Sequence, residues 1–91
     1  MISDMLYNFP RAKFVDDNGI CGQVFHLETE IAEAKAELHN PDIIPLAMEI
    51  ADILHAAETA MRILEEKYGV NQRSIMELVY QKNDARGYYH G

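Results

Sequence analysis

The chain has almost nothing with which to cross-link itself. Its single cysteine, Cys21, rules out an internal disulfide in 91 residues, and that scarcity points to a reducing, cytoplasmic compartment. Cations are scarce too. Eight Lys plus Arg stand against fifteen Asp plus Glu, a net charge of -7, which argues against DNA, RNA or an anionic membrane as a partner. No apolar run has the length of a signal or membrane segment. With no internal repeat, low-complexity tract or linker, one domain over residues 1-91 is expected. A chain this short buries only about 60 to 65% of its unfolded surface, so a monomer without a staple would be marginal.

What is there reads as helix. Residues 1-18 carry Pro10 and the turn signal "DDNG", and are expected to form an irregular arm pinned by Leu6, Tyr7, Phe9 and Phe14. A first long helix is predicted from Gly19 or Ile20 to Leu38, stopped by "HNP" because the residue before a proline avoids helical geometry. The second should begin between Pro41 and Pro45, where prolines are tolerated in a first turn, and end at Gly69 as its C-terminal cap. Asn71 is the predicted N-cap of a third helix running to Ala85 or Arg86. No strand pattern competes. The expected class is all-α, a helical bundle.

Placing residues 100° apart gives each helix a face. On the second, Leu46, Ile50, Ile53, Ala57, Ala60 and Leu64 make an apolar stripe flanked by Ala56 and Ile63, and His55, Glu58, Arg62, Glu65 and Glu66 fall on the solvent side. Glu49 lies inside the apolar arc and Asp52 at its border. On the first, Val24, Leu27, Ile31, Ala34 and Leu38 form the stripe, with His26, Glu30, Glu33 and Glu37 beside it and no lysine to balance them. An isolated E-x-x-E is more often a solvated face than a site. A second acidic pair on the core side of the next helix weakens that explanation. A short connection makes the two helices antiparallel neighbours, and four carboxylates meeting at a bundle edge would repel and resist desolvation unless divalent cations lay between them. Oxygen-only ligands of this kind suit Mg²⁺ or Mn²⁺ better than zinc.

The third helix has Ile75, Leu78 and Val79 as its inward stripe, continued by Lys82 and Arg86 with Asn83 one step away. Such cations often do no more than cap a helix C-terminus. Emerging from the core side, they are also placed to meet a phosphate.

The pairs Glu30/Glu33 and Glu49/Asp52 in "EIADIL", followed by "KNDARGYY" at 82-89, resemble the MazG-like all-α nucleotide pyrophosphohydrolases, in their short single-domain form, over roughly residues 20-90. The resemblance implies a Mg²⁺-dependent hydrolase of phosphoric anhydrides, cleaving a nucleoside triphosphate between its α- and β-phosphates to give the monophosphate and pyrophosphate. It implies metal binding by Glu30, Glu33, Glu49 and Asp52 and phosphate binding by Lys82, Asn83 and Arg86; Glu33 and Glu49 are the expected catalytic carboxylates, Glu33 as general base because a residue shared between metal and water can serve both. It also implies a homodimer or homotetramer, in keeping with the wide apolar arc of the second helix. Cys21 is expected to be a buried apolar residue, and His26 a structural or supporting one. Two rivals stand beside this expectation: phosphoribosyl-ATP pyrophosphohydrolase-like activity, and a noncatalytic helical dimerisation module.

Overall fold

The structure, a computed structural model, describes residues 8-89, so the parts expected of Leu6 and Tyr7 lie outside the described residues. Four helices follow one another: α1 Phe14–Asp17, α2 Ile20–Ala36, α3 Ile44–Tyr68 and α4 Gln72–Ala85. There is no strand among the described residues, and no helix there is long and apolar enough to cross a membrane.

The punctuation residues set the boundaries. Gly19 in extended conformation opens α2. Asn40 and Asp42 hand the chain into α3 through side-chain oxygens that accept from the backbone N–H groups of Asp42 and Ile44, and Pro45 occupies the first turn, where its missing N–H costs nothing. Gly69 ends α3 at φ 71°, a left-handed conformation that glycine adopts freely. Asn71 caps α4 by accepting from Ser74 N–H at 3.0 Å. One element was not expected: the single turn of α1 inside the arm, where Val15 is fully buried.

The body of the fold is α2 laid along α3. Gln23 meets Ala56, and Glu30 meets Glu49 and Asp52, so residue numbers rise along one helix as they fall along the other and the pair is antiparallel. Its buried residues are Gln23 and Ala34 from α2 and Ala56, Thr59, Ala60 and Ile63 from α3. Three alanines among them permit the backbones a close approach. The expected stripes are therefore rotated. Ala56 and Ile63, placed at the flank, are core, while Ile50, the α2 residues Val24 and Ile31, and Leu38 beyond the end of α2 are exposed. The reason is coverage: α2 shields one side of α3, and no other long helix shields the rest.

The arm does what no helix does and covers the supposed solvent side of α3. Phe9 N–H donates to Glu58 Oε2 at 2.8 Å, Arg62 donates to Phe9 O and to Asn8, and the Phe9 ring stacks on His55 with centroids 4.4 Å apart. Arg11 grips both Glu66 and Asp16 with paired hydrogen bonds, and these hold both carboxyls below their usual range. His55, Glu58 and Arg62 are consequently half-buried rather than solvated. Cys21, expected inside, is exposed; two residues before Gln23, it points about 200° away from that inward side chain.

Helix α4 stands apart. None of its residues is buried, and the expected inward stripe is open, with Leu78 59% exposed. Its end folds back locally: Gly87 at φ 79° turns the chain, Tyr88 N–H donates to Asn83 O at 2.9 Å, and Tyr89 stacks on Tyr80.

Candidate metal centre

Two turns along α2 from Gln23, the antiparallel pairing brings acid against acid. Glu30 on α2 and Glu49 and Asp52 on α3 each offer a carboxylate oxygen, and these atoms lie within 4.8 Å of one another. Glu30 and Glu49 are half-buried and Asp52 is exposed. Neither Glu30 Oε2 nor Glu49 Oε2 has a hydrogen-bond partner, though both atoms are buried. An orphaned oxygen of this kind is costly, and a charged one more so.

The electrostatics follow. Burial pushes the Glu30 carboxyl above its ordinary value, and repulsion from Glu33 and Asp52 adds to that while His26 opposes it. Glu49 is raised by desolvation first and then by Glu33, Asp52 and Glu30. Glu33 is itself exposed and acts on both neighbours. Among the described residues the counter-group beside the cluster is His26, whose Nε2 lies 3.3 Å from Glu30 Oε1. A hard divalent cation fits this donor set: every donor is an oxygen, two are without partners, and the charge is all of one sign.

The expected phosphate-binding residues are not joined to the acids within one chain. Lys82, Asn83 and Arg86 ride on α4, and among the described residues no hydrogen bond or ion pair ties their side chains to Glu30, Glu33, Glu49 or Asp52.

A cavity of about 280 Å³ opens beside the cluster and shares Glu30 and Asp52 with it. Phe14, Gln23, His55 and Thr59 form much of the remaining wall. Sequence reasoning missed these residues as a group, although the spacing carries a signal. Gln23, Glu30 and Ala34 are seven and four apart, as are Asp52, Thr59 and Ile63, so each set shares a helix face. Drawing the faces through the most hydrophobic residues left Gln23 and Thr59 out of them. No family model, curated protein or solved structure matches the chain, so the acid cluster and its cavity stand on their own geometry.

Proposed function

We propose that the chain is a Mg²⁺-dependent nucleoside triphosphate pyrophosphohydrolase, which cleaves the bond between the α- and β-phosphates and releases pyrophosphate and the monophosphate. The observation that carries this reading is the pair of buried, partnerless oxygens on Glu30 and Glu49, facing each other across two helices with Asp52 alongside. In this reading Glu30, Glu49 and Asp52 hold Mg²⁺ or Mn²⁺, and Glu33 completes the set. Bound there, such an ion supplies positive charge against the phosphate oxygens and lowers the pKa of water. Glu33, exposed next to the cluster, is placed to take the proton of the attacking water. Lys82, Asn83 and Arg86 bind the leaving pyrophosphate, with Arg86 suited to bidentate contact.

In this reading a second copy of the chain completes that last role, because no residue of α4 is buried against its own chain. The open faces of α2, α3 and α4 carry exposed apolar side chains, among them Val24, Ile31, Ile50, Met76 and Leu78. We therefore infer a homodimer or homotetramer in which neighbouring copies cover these faces and the cations of α4 are seated.

The separation of Lys82 and Arg86 from the acids in one chain favours a second reading, a noncatalytic helical pairing module. Phosphoribosyl-ATP pyrophosphohydrolase-like activity would use the same centre on another substrate. A panel of standard and modified nucleoside triphosphates with Mg²⁺ or Mn²⁺ separates these. Pyrophosphate, not orthophosphate, is expected from at least one substrate, and Glu49→Gln should abolish it with the helical circular dichroism spectrum retained. Metal binding with no pyrophosphate from any nucleotide would leave the pairing module or the phosphoribosyl substrate.

A further inference from the structure

We propose that His26 is a positioning residue of the metal centre: it engages one oxygen of Glu30 and so leaves the other to the ion, and Phe14 steadies the His26 ring. This rests on the reading of the acid cluster as a cation site.

The local geometry of α2 sets up the contact. His26 and Glu30 stand one turn apart on the same helix face, and a helical side chain leans back over the turn before its own Cα, which carries the Glu30 carboxylate toward His26. His26 Nε2 and Glu30 Oε1 end 3.3 Å apart. The other oxygen of the same carboxylate, Oε2, is buried and has no partner. The remaining groups around Glu30 are of the wrong kind to hold it, since Glu33, Glu49 and Asp52 repel it and, when ionised, accept hydrogen bonds without donating any. Among these neighbours only His26 has a donor to offer. The Glu30 side chain is 14% exposed, which leaves water little room to do the same. The imidazole has its own support in Phe14 of α1, whose ring centroid lies 5.7 Å away with the planes tilted by 38°, within the usual spacing of aromatic pairs. Phe14, His26 and Glu30 then follow one another along the wall of the same cavity. A carboxylate engaged through one oxygen presents the other in a fixed direction, and contacts that orient a ligand in this way govern how tightly a site holds its metal.

Calorimetry with Mn²⁺ alone tests the role, with no substrate present. Wild type should bind Mn²⁺, Glu49→Gln should bind it more weakly, and His26→Ala should lose about 10- to 100-fold in affinity, the usual cost of removing a contact that orients a metal ligand. His26→Gln places an amide nitrogen close to the position of Nε2 and should recover most of that loss. Phe14→Ala should weaken Mn²⁺ binding in the wild-type background and change nothing further in His26→Ala, because its effect runs through the ring. Pulsed EPR of the bound Mn²⁺ should show no coupling to an imidazole nitrogen. An unchanged affinity in His26→Ala, a Gln variant as weak as the Ala variant, a Phe14→Ala loss that persists without His26, or a nitrogen coupling that vanishes with His26 and so makes the ring a ligand would each overturn the positioning role and leave the metal centre standing. A wild type that binds no Mn²⁺, or an affinity indifferent to Glu49→Gln, would overturn the metal centre, and the role of His26 with it.

Discussion

Gln23 joins the two long helices just below the acid cluster, and replacing it tests whether that joint holds the site together. Its side chain is 0% exposed and makes two hydrogen bonds, one to Ala56 O on α3 and one from Asn18 ahead of α2. Each contributes about 0.5 to 1.5 kcal/mol net. Gln23→Ala loses both and leaves a void, which at about 24 cal/mol per Å³ adds about 1 to 1.5 kcal/mol. The sum is about 3 kcal/mol. For a domain of this size, with stability of about 0.05 to 0.15 kcal/mol per residue, that is about a fifth to two-thirds of the total. Gln23→Met keeps the volume. Ala56 O retains its helical partner and the half-exposed Asn18 amide turns to water, so the cost falls to about 1 kcal/mol. Urea denaturation followed by circular dichroism at fixed protein concentration measures both. The expected order is wild type, then Met, then Ala, with an unchanged slope against urea. An alanine variant within about 0.5 kcal/mol of wild type, the usual range for surface substitutions, would refute the idea that this contact holds α2 to α3.

The remaining expectations concern charge and assembly. Millimolar Mg²⁺ or Mn²⁺ should raise Tm, since an ion that binds only the native state stabilises it by about 2.7 kcal/mol at a hundredfold excess over Kd, and Glu30→Gln or Asp52→Asn should shrink the rise; equal shifts in wild type and variants would place the ions elsewhere. In chelator, the raised carboxyls of Glu30 and Glu49 give stability that is present below their unfolded value of 4.5 and lost as pH rises through the folded values. Asp16 and Glu66, lowered by Arg11, act oppositely and lose their contribution only as pH falls through their folded values. Metal-free protein should therefore melt higher at about pH 5 than at about pH 7.5, and saturating Mg²⁺ should reverse that order. Leu78→Glu changes a solvated position of one chain and should cost under about 0.5 kcal/mol there, yet it should lower the assembled mass seen by sedimentation; a wild type that sediments at 10.4 kDa would refute the pairing.

The helix ends were legible because they are written in local chemistry. Pro45, Gly69 and Asn71 each impose a backbone geometry or a hydrogen bond within four residues, and the structure places each as expected. The faces were less legible, because burial depends on what arrives from elsewhere. Ile50 looked internal by its spacing and is exposed, since nothing among the described residues covers it. His55 looked solvated, and an aromatic ring 46 residues upstream lies on it. The acids were visible as two pairs on adjoining helices, which is enough to predict that they meet. Where Lys82 and Arg86 go was not legible, for no residue of their helix is buried among the described residues to fix it.

That solitary helix has a thermodynamic consequence. Fourteen residues are marginal as an isolated helix in water, where initiation is costly and each added residue gains little, and no residue of α4 is fully buried. If a partner docks against it, ordering and docking are one equilibrium governed by mass action. If the partner is another copy, dilution melts α4 before the α2–α3 pair, and the cations at its end lose their geometry at the same moment. A protein built this way is sensitive to its own abundance: below the concentration at which copies meet, the acid cluster stays whole while the basic end of the chain comes apart.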